Sequence, residues 1–118
     1  MKIVHPGDRG PAEQRATVSG QVWFETAMPA TDGTTIATVT FAPGARTFWH
    51  HHEHGQILQV VSGIGLVCPD GEEPQTIRPG DVVWVPAGER HWHGATPGSP
   101  LTHVAISLGS THWAEEVA

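Results

Sequence analysis

The strongest constraint on how this chain can fold is how often it is interrupted. Fourteen glycines and ten prolines punctuate 118 residues, spread along the chain rather than massed in one biased tract. The runs between them are short, and none of helical length carries a 3.6-residue period. Thr34 to Phe41 alternates most regularly between polar and apolar side chains. Gln21 to Glu25, Arg46 to His52, Gln56 to Val61, Gly65 to Cys68, Gln75 to Ile77, Val82 to Val85, Glu89 to Ala95 and Leu101 to Leu108 read as further strands. Asp32-Gly33, Pro43-Gly44, Ser62-Gly63, Asp70-Gly71 and Arg78-Pro79-Gly80-Asp81 read as the turns between them. Short strands with turn signals roughly every 8–12 residues indicate an all-β sandwich or barrel. Residues 1–33 are expected to form an arm and a first strand, with Met28 to Gly33 as a loop. Residues 34–110 are expected to form the barrel, and 111–118 a tail able to make one helical turn.

The length suits one domain with a single core. A net charge of −6 with only six lysines and arginines argues against a nucleic-acid surface. Cys68 is the single cysteine, which excludes an intrachain disulfide and any cysteine-based zinc motif. No apolar run approaches the length of a membrane span, and Met1 to Gly7 lacks the apolar stretch of a signal peptide. The expectation is a cytoplasmic protein without nucleic-acid or membrane partners.

Histidine is where the chemistry concentrates. His50, His51, His52 and His54 fall within five residues, and His91-Trp92-His93 follows later. On a strand, alternate side chains share a face, so His50 and His52 can address one point, as can His91 and His93. Joined by the Gln56 amide oxygen, such neutral nitrogen and oxygen donors suit a divalent first-row transition metal. His51 should face the other way, into solvent, and Gly55 should turn His54 to the rim. His93 is open to three readings: ligand, outer donor to the site, or a hydrogen-bonded pocket histidine. His103 alternates with Ala105 and Ser107 on one side of its strand. Near a metal it would suit a general base, since imidazole titrates close to neutrality; a buried, hydrogen-bonded histidine is the plainer alternative. Trp49, Trp84 and Trp92 are expected in core or pocket walls, and Phe41, Leu58, Val60 and Val83 in the core.

The spacing of these residues closely resembles the two cupin motifs. From Gly44, five residues lead to His50, one more to His52, three more to Gln56 and six more to Gly63. The second block runs Gly80, five residues, Pro86-Ala87-Gly88, two residues, His91. The resemblance covers roughly residues 34–108 and implies a jelly-roll-like antiparallel barrel with His50, His52 and His91 as metal ligands. Two positions depart from the family pattern. Gln56 stands where a glutamate is usual, and Ala95 where an asparagine is expected. A neutral amide cancels none of a divalent ion's charge, so the centre would be the stronger Lewis acid.

The wording of the blocks is similar, within that family, to small bacterial cupins that include manganese-dependent hydroxynitrile lyases. It lies in Pro43-Gly44-Ala45-Arg46-Thr47, Trp49-His50, His52, Gly55-Gln56, Gly80 to Trp84, His91 to Ala95 and Thr102-His103. That resemblance implies a metal-dependent lyase of aromatic cyanohydrins, with Gln56 as fourth ligand and His103 as base. His93 would assist the departing cyanide, and Ala37 and Val39 would shape the pocket. It implies manganese, although the donor set alone would accept iron, nickel, zinc or copper. The family also implies a homo-oligomer, dimer or tetramer, acting on a small-molecule substrate. A metal-dependent dioxygenase or other oxidoreductase, and a non-catalytic ligand-binding cupin, remain open on the same fold.

Overall fold

The computed structural model describes all 118 residues, as one 3-10 turn at Pro6–Asp8 followed by twelve strands. They are β1 (Val18–Ser19), β2 (Val22–Thr31), β3 (Thr34–Phe41), β4 (Arg46–Thr47), β5 (His50–His52) and β6 (Gly55–Gly63). Then come β7 (Gly65–Pro69), β8 (Gln75–Ile77), β9 (Val82–Val85), β10 (His91–Ala95), β11 (Leu101–Leu108) and β12 (Thr111–Trp113). One sheet has five strands in the order β2-β3-β11-β6-β9. The other has seven, ordered β1-β4-β10-β5-β12, with β7 also on β10 and β8 on β7. The named strand pairings are all antiparallel. This is the all-β barrel expected from the sequence, and no helix is long and apolar enough to cross a membrane.

The alternation in Thr34–Phe41 explains why β3 is internal. One face sends Val39 and Phe41 into the core, while Thr38 and Thr40 face outward. Its neighbour β11 repeats the pattern, burying Leu101, His103 and Ala105. With Val22 and Phe24 from β2, Leu58 and Val60 from β6, Val67 from β7 and Ile77 from β8, these strands enclose one apolar cluster. Each such side chain contributes about 1.5–3 kcal/mol on full burial.

Several expectations require correction. Met28 to Thr31 is strand, not loop, and the hairpin turns at Asp32 (φ 49°) and Gly33 (φ 78°) alone. Two consecutive positive φ values are what a tight two-residue hairpin needs. Pro29 is tolerated because β2 is an edge strand. The tail forms no helical turn, for Thr111–Trp113 pairs residue by residue with His52, His51 and His50. The run from Arg46 to His52 breaks at Phe48 and Trp49, whose N–H groups donate to the Thr17 and Glu115 carbonyls instead. Trp84 is no wall residue either: on the outer face of the edge strand β9 it is 58% exposed.

Candidate metal centre

Strand periodicity delivers the histidines to one place. His50 and His52 are inward on β5, and His91 and His93 inward on β10, with His50 directly opposite His91. All four are buried, as are Gln56 on β6 and His103 on β11. His50, His91 and His93 bring one ligand atom each within 4.8 Å of one another, a group able to hold a divalent metal ion. The His52 ring centroid lies 5.0 Å from that of His50 and 5.6 Å from that of His91. His51, on the same strand, faces out and stacks on His112 with centroids 4.7 Å apart. His54 is exposed, carried away by the turn at Gly55 (φ 105°).

Each inward imidazole is tethered by its Nδ1. His50 Nδ1 lies 2.9 Å from the Phe48 carbonyl, His91 Nδ1 2.9 Å from the Glu89 carbonyl, and His52 Nδ1 3.0 Å from the Thr111 hydroxyl. A carbonyl only accepts, so His50 and His91 carry their proton on Nδ1 and present a lone pair on Nε2. That is the usual arrangement of a metal-ligating histidine, whose outer partner fixes both tautomer and ring orientation. Gln56 is oriented similarly. Its amide N–H donates to the Ser107 hydroxyl at 3.1 Å, turning Oε1 toward His91 Nε2 at 3.2 Å.

That last contact decides whether a cation fits. With the His91 proton committed to Glu89, Nε2 and Oε1 face each other as two lone-pair bearers. Nε2 of His52 and Nε2 of His93 are also buried and without a partner. Leaving such groups unsatisfied costs about 1–3 kcal/mol each, and a shared divalent cation removes the cost for those donors that ligate it. Protonation is a poor substitute. Burial holds the His50 pKa down at about 2 and that of His52 at about 4, with the neighbouring His91 adding to both shifts. Desolvation likewise lowers the pKa of His91, and that of His93 far below its ordinary value. The imidazoles are neutral at pH 7, as ligation requires.

His103 stands behind this group rather than in it. It is fully buried, its Nε2 hydrogen-bonded at 2.9 Å to His93 Nδ1, while its own Nδ1 has no partner. His93 faces the cavity and His103 does not. The ring of Phe41 meets both edgewise, 5.8 Å from His93 and 5.2 Å from His103.

A cavity of about 210 Å³ opens beside the histidines, lined among others by Phe24, Ala37, Val39, Ala105 and Trp113. Ala37 and Val39 therefore shape it as expected. Sequence reasoning missed Thr111 and Trp113, assigned to a helical turn, and Arg15, assigned to the arm. The Thr-His-Trp composition of β12, β-branched and aromatic, was the available signal for the first two. Nothing local marks Arg15.

An antiparallel barrel with a histidine cluster inside one end is the architecture of a metal-site cupin. Residues 37–107 match the cupin domain, and the chain belongs to the cupin family. It is 45% identical over 100 residues to the (R)-mandelonitrile lyase of Granulicella tundricola, covering 83% of this chain and 74% of that protein. A cupin-like protein from Thermotoga maritima superposes with a TM-score of 0.86 at 36% identity, covering 93% of this chain and 88% of that one. A polyketide cyclase from Streptomyces resistomycificus shares the fold with a TM-score of 0.78 at 21% identity, covering 100% and 86%.

Proposed function

We propose that this chain is a metal-dependent lyase of the hydroxynitrile lyase type, cleaving and forming aromatic cyanohydrins. His50, His52, Gln56 and His91 hold the ion, manganese by family. The identity to the Granulicella enzyme carries the reading, and the inward Nε2 atoms and the Gln56–His91 contact support the ligand set. A divalent ion there supplies Lewis acidity toward a substrate oxygen and a positive field toward developing anions.

The chain's own contribution is proton handling by the His93–His103 pair. In this reading His93 stays off the ion: it lines the cavity, its unpartnered Nε2 accepts the substrate hydroxyl proton, and its Nδ1–H passes a proton to His103 Nε2, 2.9 Å away. His103 thus takes the proton through His93 rather than by touching substrate. The bond from carbinol carbon to cyanide breaks with its electron pair leaving on cyanide, and an aldehyde remains. Burial keeps the His103 pKa at about 4, so the proton is held briefly and returned along the pair to cyanide. The apolar lining suits an aromatic ring, since a cavity of roughly 150 Å³ already accepts benzene.

Elemental analysis of untagged protein purified without added metal tests this directly. About one manganese per chain is expected, with affinity falling about 100-fold or more in His50→Ala and His91→Ala. Metal-dependent mandelonitrile cleavage should accompany it. Metal-bound protein that consumes oxygen with phenolic or diketone substrates, and releases no cyanide, would replace the lyase with an oxidoreductase.

We propose, too, that the working form is a homo-oligomer. Val61, Val82 and Trp84, each more than half exposed, lie together on the outer face of β6 and β9. Light scattering should report a dimer or tetramer, and Trp84→Glu should shift it toward monomer. A monomeric wild type would end the idea.

A further inference from the structure

The chain has six lysines and arginines, and one of them, Arg15, reaches the cavity. Of the other five, Arg78 is exposed in a turn away from the cavity and four have different engagements. Arg9 pairs with Glu25, and Arg90 pairs with Asp70 and Glu115. Lys2 donates to Thr31, and Arg46 lies over Trp92. Arg15 has no carboxylate in ion-pair reach, although acidic residues outnumber basic ones twelve to six. Its guanidinium carbon sits 4.4 Å above the ring of Phe24, which is itself part of the cavity wall.

None of the fifteen lining residues is acidic. Arg15 is therefore the one formally charged side chain on the cavity wall. Stacking on Phe24 occupies a face of the guanidinium and leaves its edge, where the N–H donors are, free to bind. A planar fork of that kind matches a carboxylate in two parallel hydrogen bonds.

We infer that Arg15 recognises a carboxylate on the substrate. The substrate class is then an anionic aromatic cyanohydrin or its aldehyde, with the carboxylate remote from the reacting carbon. The carboxylate meets Arg15, the ring lies against Phe24 and Trp113, and the reacting end reaches His50, His52 and His93. The identity of the reacting group rests on the lyase reading above; the preference for an anion does not. The plainer role for Arg15 is a clip that stacks the arm onto β2, and the test separates the two.

The probes are two unreactive ligands, para-carboxybenzyl alcohol and benzyl alcohol, titrated calorimetrically or by tryptophan fluorescence against metal-loaded and metal-free protein. Wild type should bind the carboxylate-bearing ligand roughly five- to tenfold tighter, the range of one well-placed, partly exposed charge-assisted contact. Raising the salt should shrink that ratio. Arg15→Met, which keeps an apolar contact with Phe24, should erase the preference, and Arg15→Lys should keep part of it. Equal affinities in wild type would overturn the proposal. So would a preference that survives in Arg15→Met, because the carboxylate would then be bound at the histidine centre. An intact anion preference in a protein that cleaves neither neutral nor carboxylated mandelonitrile would sink the lyase reading alone.

Discussion

The two ends of the barrel interior are built by the same strands and have opposite chemistry. On β11 the inward face runs from Leu101 through His103 and Ala105 to Ser107, and on β3 from Phe41 through Val39 to Ala37. On β6 it runs from Val60 and Leu58 to Gln56, and on β10 from Ala95 to His93 and His91. One end is dry, filled by Leu58, Leu101, Phe41, Val22 and Val60. The other collects imidazoles, of which His52 and His93 each keep a buried Nε2 without a protein partner. Buried polar atoms without partners subtract from stability, whereas buried aliphatic groups add to it. The closed end therefore holds the barrel together, so that the open end can keep donors ready for a cation.

The sharpest way to break this division is to damage the closed end alone. Leu101 is completely buried and packs so tightly that a Cβ on Gly65 would lie 2.5 Å from its Cδ2. Leu101→Ala should cost about 2–5 kcal/mol in urea unfolding, while the folded fraction still takes up about one metal ion per chain. Equal loss of metal affinity would mean that the two ends are not separable.

Acid should expose the cost of the open end. His103 is buried with a folded-state pKa of about 4, against 6.5 when free. Below about pH 6.5 the unfolded chain gains a proton at this site that the folded chain does not take up until about pH 4. The stability is therefore whole above pH 6.5, is lost as pH falls from 6.5 to 4, and changes no further from this group below that. Urea unfolding of metal-free protein across this range should register a loss of which about 3 kcal/mol comes from His103. His103→Asn should remove this share and leave the fall that His50, His52, His91 and His93 contribute in the same direction. A wild-type profile already flat would show that His103 costs nothing to keep neutral.

Much of this division was legible in the residues. The two-residue period of a strand was enough to send His50 with His52, and His91 with His93, to one face. The alternation of Thr34–Phe41 and Leu101–Leu108 gave the central strands. What escaped was set by partners far away in sequence. Thr111–Trp113 is a strand because the β5 edge captures it, and no periodicity of three residues announces that. Met28 to Gly33 reads as a loop around its Asp32-Gly33 turn, yet the strand runs on to Thr31 through Pro29, whose missing N–H is harmless only at a sheet edge. The hydrogen bond between His103 and His93 joins two strands that the sequence could align but not pack.

The smallest expected effect lies one residue from the largest concentration of chemistry. His51 separates His50 from His52, yet its ring is outside the barrel, stacked on His112 at an interplanar angle of 9°. Cross-strand pairs of this kind are worth about 0.2–1 kcal/mol, and a half-exposed histidine has water to replace what it loses. His51→Ser should therefore change stability by less than about 0.5 kcal/mol and leave metal stoichiometry and affinity as in wild type, measured by chelator competition. His50→Ala and His52→Ala, each one position away, should both weaken the metal. If His51→Ser weakened it equally, the alternation of β5 would no longer account for which histidines hold the ion. The site would then depend on the number of imidazoles in the run rather than on the face each residue occupies.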